Sequence, residues 1–402
     1  MIENRDIIII SIQPWDIGIG SNCKDIAGEL AKRNRVLYVD PPLNRITMLR
    51  NRKNPATLRR IRINKGAEPD LTELREGLWN LSPRGVTESI NWIGSAGIYD
   101  LLNKRNNRIY ARAISSAVRR LNFRNCIIFN DSSMFAGFYM KELLKPAAYV
   151  YYMRDNLTKM AYWRRHGPRL EQELIRKADV VLGNSTYYAR YGLKFNKHSY
   201  MVGQGCDVAS FDCAARQILP AEDLSSIPGP VIGYVGTLTS DRLDIRLIAE
   251  MARQRPAWSF ALVGPEDDNF KNSELHTIPN VHFLGACEPA AVPRYIAGFD
   301  VCINPQSLNE ITAGNYPRKI DEYLAMGKPV VATDTEAMEY FREYVYLGTG
   351  PAEQVNLVEK ALKEDSPEER REGRKFALNH TWENNVREIC KAIEKGAEPA
   401  GI

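Results

Sequence analysis

The segment 316–333, YPRKIDEYLAMGKPVVAT, concentrates the strongest chemistry in the chain. Its pattern predicts a helix starting near Lys319, with Pro317 suited to the first turn and Gly327 to the stop. A helix start offers unpaired N–H groups and a positive dipole end, which favour phosphate. Arg318 and Lys319 add full charges there. Glu322, three residues beyond Lys319, could accept hydrogen bonds from a ribose diol. Cations, a helix start and a carboxylate within one turn suit a nucleotide diphosphate sugar. An ordinary amphipathic helix with surface charges fits the same letters, and local chemistry alone does not separate the two.

Other candidates are placed by glycines and strand ends. In GYVGTL (233–238) a strand runs into Gly236 and Thr237, where backbone could approach a pyrophosphate closely. Arg242 follows as a possible phosphate clamp, because its fork fits phosphate bidentately. Gly264, with Pro265, repeats the strand-to-glycine pattern. Earlier in the chain, YYMRDNLT puts Arg154 and Asp155 after an apolar run. Asp155 could take the proton of a hydroxyl, or it could cap a helix beginning at Asn156. Asp16, Gly18, Gly20 and Asn22 form a first loop that orders itself or receives an acceptor.

These residues need strands to aim them. DIIIISI (6–12) is a short continuous apolar run, as expected of a parallel strand buried on both faces. A helix over 21–34, capped by Ser21 or Asn22, and a strand over 35–42 complete a βαβ unit. Helix follows at 99–121, with strands at 125–131 and 147–153. The stretch 43–75 is basic and has few strand signals. A linker near 205–215 precedes a second alternating series that opens with PVIGYVGTL (230–238) and contains a helix at 243–254. A charged helical tail spans 365–395. Two such series predict two doubly wound domains, whose ligands bind beyond the carboxyl ends of the strands.

The 402 residues, 44% hydrophobic and 26% charged, describe an ordinary globular chain of two domains. Seven scattered Cys without a CxxC pair argue against a disulfide framework and a structural zinc site, and for a reducing compartment. No P-loop, HExxH or GxSxG motif occurs, and the five His show no metal-helix spacing. No metal site is therefore expected. Residues 1–205 carry 34 Lys+Arg against 18 Asp+Glu, whereas the whole chain is only +5. That basic half predicts an anionic contact, with residues 45–65 and 104–124 meeting anionic lipid or an acceptor diphosphate. The aromatics there do not interleave with the basic runs as a nucleic-acid stacking platform would, so no nucleic acid is expected.

The run GYVGTL, FALVGP, NVHFLG, FDVCINP and PRKIDEYLAMGKPVVATD resembles the donor-binding domain of GT-B glycosyltransferases. It is most similar to the family 4 enzymes of bacterial polysaccharide assembly. VGQGCD (202–207) resembles that group's interdomain segment. The resemblance covers residues 5–395. It implies two Rossmann-like domains facing a central cleft: an acceptor domain over 1–207, a nucleotide-sugar domain over 208–370, and a C-terminal helix, 371–402, returning to the first. It implies that Glu322 binds the donor ribose and that Lys319 and Arg242 contact the pyrophosphate. Asp155 stands where xanthan-type glucuronosyltransferases, which the chain also resembles, carry the catalytic base. The implied reaction moves a sugar, UDP-linked by preference, to a lipid-linked or polysaccharide acceptor, with no resident cofactor. The implied location is the cytoplasmic face of a cell membrane. A sugar-nucleotide epimerase is the alternative on this fold. Family 4 enzymes pair two Glu at a fixed spacing, which would place the first at position 314, here Gly314, with Glu310 out of register. The usual donor-loop Lys is also missing, with Asp244 and Arg246 in that stretch. Both departures favour an inverting reaction with Asp155 as base.

Overall fold

Apolar runs form the strands, and turn residues separate them. In the computed structural model, which describes residues 2–17 and 20–397, two compact units are present: residues 2–203 with 385–397, and residues 204–384.

The first unit holds β1 (Asp6–Ile10), β2 (Arg35–Val39), β3 (Leu71–Arg75), β4 (Leu78–Leu81), β5 (Ile127–Asp131), β6 (Ala148–Met153), β7 (Val180–Gly183) and β8 (Ser199–Met201). Their order is β3-β4-β2-β1-β5-β6-β7-β8, parallel except for the β3–β4 hairpin at one edge. Every residue of β5, β6 and β7 is buried, as the continuous apolar runs require of a sheet covered on both faces. The direction of strand succession reverses at β1, which lies between β2 and β5. The carboxyl ends of β1 and β5 therefore border the place where a ligand is expected.

The basic stretch 43–75 is more regular than its letters suggest. It forms helices Arg45–Arg50 and Pro55–Asn64, then the edge strand β3. Asn44 and Asn54 cap the two helices, accepting hydrogen bonds from the N–H groups of Thr47 and Thr57 at 2.8 and 3.2 Å. Pro55 stands in the first turn of the second. The expected helix at 99–121 runs over Ala96–Arg120. At the start of Asn22–Leu30 the cap position belongs to Ser21, and Asn22 is the first helical residue.

The second unit holds β9 (Val231–Val235), β10 (Ser259–Val263), β11 (Val281–Gly285), β12 (Val301–Asn304), β13 (Val330–Thr333) and β14 (Tyr346–Gly348), all parallel in the order β11-β10-β9-β12-β13-β14. Alternate strand residues feed two cores. Val235, Val263 and Cys302 face one, whereas Tyr234, Leu262 and Ile303 face the other. The succession reverses between β9 and β12. The first break between units falls at 203/204, a few residues before the expected 207/208. The second differs more. Helix Pro367–Leu378 packs in the second unit, and only the part of helix Trp382–Ala397 from Asn385 onward belongs with the first, not the whole of 371–402. The physical reason is Phe376 and Ala377, which bury into the second unit's core.

Candidate active site

Lys319 and Gly236 meet at the switch point of the second unit. Gly236 directly follows β9 with φ +142°, a backbone conformation that other residues rarely adopt. A Cβ there would collide with Cε and Nζ of Lys319. The ammonium also lies 5.4 Å from the centre of the Tyr234 ring. Lys319 is half-buried and makes no ion pair among the described residues. Gly264, φ +147°, closes the other side, because a Cβ on it would strike the carbonyl of Gly236 and come 3.4 Å from the N of Thr237. The result is a bare backbone turn at the carboxyl end of β9 with one cation laid over it, which can bind an anion against main chain.

Helix Arg318–Ala325 carries that cation, with Pro317 at its cap. This is no surface helix. Ile320, Asp321, Glu322, Tyr323, Leu324 and Ala325 are all buried, which removes the reading of an amphipathic helix with solvated charges. The Tyr323 hydroxyl accepts a hydrogen bond from the N–H of Val235 at 3.1 Å and so fixes the helix to the end of β9. Gly327, φ +64°, ends it, donating to the carbonyl of Leu324. Glu322 is 8% exposed and accepts from Nε of Arg318 at 3.2 Å. Burial pushes its carboxyl up, and the cations of Arg318 and Lys319 oppose this.

A buried network holds the same helix from behind. Nδ1 of His380 lies 2.6 Å from Oδ1 of Asp321, whose other oxygen accepts from the Tyr316 hydroxyl at 2.9 Å. Nε2 of His380 lies 2.9 Å from the Tyr340 hydroxyl. Asp321 is fully buried, and burial pushes its carboxyl up against the opposing hydrogen bond from His380. None of these three partners stood out in the sequence. The available signal was Asp321 itself, an acid in the middle of a helix that is otherwise apolar on its inner side.

Arg242 sits on the loop after β9. Its backbone carbonyl accepts from the N–H of Ser307 at 2.9 Å, which ties it to the segment leaving β12. Its side chain is exposed and makes no hydrogen bond among the described residues, so the structure does not join it to Lys319 and Glu322.

In the first unit, Asp155 follows β6 and is 29% exposed at its side chain. It does not cap a helix. The turn that follows is a 3-10 segment, Leu157–Lys159, and the Asp155 carboxylate is instead 3.3 Å from Nη1 of Arg154. Arg154 in turn is held by Asp131, at 2.9 Å from Nε and 3.3 Å from Nη2. Asp131 ends β5 and is completely buried. Arg154 thus has its charge fixed upward by two carboxylates. This acid–cation–acid line lies across the carboxyl ends of β5 and β6. Asp131 escaped sequence reasoning, although it ends NCIIFND just as Asp155 closely follows its own strand. Nearby Cys23 is buried, and burial pushes its thiol well up, as in a structural rather than a reactive cysteine.

After β1, Trp15 and Asp16 are tied down. The buried carboxylate of Asp40 accepts from the N–H of Trp15, from Asn80 and from Ser82 at 2.9, 2.9 and 2.6 Å. Asp16 is paired with Arg59 at 3.2 Å and Arg60 at 3.0 Å. A Cβ on Gly20 would meet open space. Gly18 lies outside the described residues. The structure thus joins Gly236, Thr237, Gly264, Pro317, Arg318, Lys319 and Glu322 into one site, and Arg154 with Asp155 into another. Asp16 ties its loop to helix Pro55–Asn64.

Comparison with known proteins gives this geometry a context. Residues 229–362 match the family described as Glycosyl transferases group 1. The chain is 32% identical over 241 residues to the putative teichuronic acid biosynthesis glycosyltransferase TuaH of Bacillus subtilis (strain 168). That match covers 56% of this chain and 60% of the relative, so the similarity spans less than two thirds of the curated relative's length. Among solved structures, sucrose-phosphate synthase from Thermosynechococcus elongatus aligns with a TM-score of 0.67 at 15% identity, covering 98% of this chain and 99% of that one. Anabaena HepE in complex with UDP aligns with a TM-score of 0.64 at 15% identity, covering 98% and 100%. The Escherichia coli trehalose-6-phosphate protein bound with UDP-2-fluoro glucose gives 0.67 at 11%, covering 98% and 99%. At these identities the likeness is one of fold, and the fold is GT-B, with two parallel-sheet α/β units.

Proposed function

From a glycosyl transferases group 1 domain over residues 229–362, we propose that the chain transfers a sugar from a nucleotide diphosphate donor to a hydroxyl of a glycan or lipid-linked acceptor. The observation that carries this reading is the Lys319 ammonium, half-buried over the bare turn at Gly236, with the Glu322 carboxyl one turn along the same helix. The acceptor oxygen attacks the anomeric carbon as the bond from that carbon to the diphosphate breaks. Negative charge then grows on the diphosphate, where Lys319 and the helix start stabilise it. Glu322 receives the ribose hydroxyls. The acceptor proton passes to Asp155, which Arg154 orients. The donor brings its own activated bond, so this reading needs no resident cofactor. UDP is the favoured nucleotide, in keeping with the UDP held by HepE. The TuaH relative supports an acceptor in cell-surface glycan synthesis, and a lipid-linked acceptor would set the work at a membrane face.

A thermal-shift panel with UDP, GDP, ADP, CMP and NAD tests the donor assignment. A nucleotide present at about 100 times its dissociation constant stabilises by about 2.7 kcal/mol. We expect UDP to shift the melting temperature and NAD not to. A shift with NAD alone, or with no nucleotide, overturns the assignment. Product analysis with UDP-sugar alone separates the epimerase alternative, which converts the donor without any acceptor. Asp155→Asn is expected to abolish transfer and retain the UDP shift, and an Asp155→Asn protein that still transfers removes Asp155 as the base.

A further inference from the structure

Trp92, Leu101, Ile98 and Leu49 of the first unit are 71, 70, 56 and 50% exposed. Side chains of this size are seldom left so bare in groups unless something covers them. They come from three segments that the structure ties together. The backbone at Thr87 bridges to Asn44, and Arg45 grips Glu88 through Nε at 3.1 and 3.0 Å. The side-chain amide of Asn106 exchanges hydrogen bonds with the Glu88 backbone, both at 2.9 Å, and the indole N–H of Trp92 donates to the carbonyl of Ser89 at 2.9 Å. Segment 87–92 therefore joins the short helix bearing Leu49 to the long helix bearing Ile98 and Leu101.

The acids around them are paired, and the charges left over are positive. Between Asp40 and Glu68 the chain has eight Lys+Arg and no acid. Arg45, Arg59, Arg60 and Arg62 are engaged by Glu88, Asp16 and Glu68. Arg50, Arg52 and Lys53 make no ion pair among the described residues. With Leu49, Asn51 and Asn54 they line an open cavity of about 540 Å³ that has no carboxylate in its wall. On helix Ala96–Arg120 the exposed stripe reads Ile98, Leu101, Arg105, Arg108, Arg112. That helix's lone acid, Asp100, is tied to Arg169 at 2.6 Å.

We propose that this face docks on an anionic bilayer, with Leu49, Trp92, Ile98 and Leu101 entering the headgroup boundary and Arg50, Arg52 and Lys53 receiving lipid phosphates. This deepens the membrane-face part of the reading above and names the surface responsible. Cations beside protruding apolar side chains are what an interfacial element needs, because the two act on different layers of the same surface. A second copy of the chain would bring like charges together in a two-fold interface, which is repulsive. A soluble polyanion would satisfy the arginines but leave the leucines and Trp92 bare.

The test uses the full chain and vesicles, without donor or acceptor, so its failure is distinct from failure of the transferase assignment. Co-sedimentation is measured on phosphatidylcholine vesicles with and without phosphatidylglycerol. Fluorescence quenching by bromine-labelled acyl chains is compared between wild type and Trp92→Phe. We expect binding to anionic vesicles only, with quenching lost in the Trp92→Phe protein. Leu49→Asp with Leu101→Asp should lower the partition coefficient by at least about tenfold, and Arg50→Gln with Arg52→Gln and Lys53→Gln by a similar factor. Melting temperatures confirm that these exposed substitutions leave the fold intact. Equal binding to neutral vesicles overturns the proposal. So does anionic binding that is indifferent to Leu49, Leu101 and Trp92. Self-association in sedimentation velocity that Leu101→Asp abolishes would assign the face to a second copy instead.

Discussion

At the scale of single residues, the two sites differ in how they hold their charge. Lys319 is a cation with no ion-pair partner among the described residues, set over a glycine turn. Asp155 is an anion already leaning on Arg154, which in turn leans on Asp131. A charge without a partner is available to a ligand, whereas a chain of partners fixes direction. Lys319→Ala should therefore lower turnover by roughly 100-fold or more, the usual cost of removing one preorganised stabiliser of transition-state charge. Single-turnover kinetics at saturating donor would measure it, and a rate within about threefold of wild type would remove Lys319 from the phosphate site. Lys319 and Gly236 were legible in the sequence because their signals are local: a helix start and a strand running into glycine. Asp131 was not, because its meaning arises only when β5 lies beside β6 and brings residues 131 and 154 together.

At the scale of elements, the helix Arg318–Ala325 is short and depends on what surrounds it. Tyr323 ties its inner side to β9, and His380 holds Asp321 from a turn that follows helix Pro367–Leu378. Removing one partner of a buried hydrogen bond leaves the other polar group unsatisfied, at a cost of about 1–3 kcal/mol. His380→Ala should thus lower stability and also loosen the helix that presents Lys319 and Glu322, weakening UDP binding. His380→Gln, which keeps a donor toward Asp321, should restore much of both. Calorimetric UDP affinity read beside the melting temperature distinguishes these effects. His380→Ala with unchanged UDP affinity would show that the network supports the core alone. The helix and its glycine stop were readable from YPRKIDEYLAMGKP, whereas its support was not, since Asp321 and His380 are far apart in sequence. The helices of 43–75 were missed for another reason. Asn caps and a single Pro specify them, and their basic side chains hide any apolar period.

At the scale of the whole molecule, the sequence showed the alternation of strands and helices and the split in charge between its halves. It did not show that the first unit's arginines divide into paired and unpaired sets, because that depends on where Glu88, Asp16 and Glu68 fold back. Folding also buries acids deliberately, and this gives stability a pH dependence with a definite sign. Glu171 is 7% exposed, accepts from the Tyr151 hydroxyl at 3.0 Å and makes no ion pair among the described residues; burial raises its carboxyl from 4.5 to about 7. A raised carboxyl favours the folded state when protonated. Its contribution is present in full below about pH 4.5 and is lost as the pH rises through about 7, a change on the order of 3 kcal/mol. Asp40, Asp321 and Glu322 are pushed up by burial as well and act in the same direction. Exposed carboxyls held low by arginine, such as Glu88 beside Arg45, act in the opposite direction but only in more acidic solution. Denaturant melts at pH 5, 6, 7 and 8 should therefore show stability falling from pH 5 to about 7 and levelling off by pH 8. Glu171→Gln, which keeps an acceptor for Tyr151 without a proton to lose, should flatten that fall. Parallel profiles for wild type and Glu171→Gln would mean that Glu171 stays ionised in its pocket, with Tyr151 and Tyr191 compensating for the lost water.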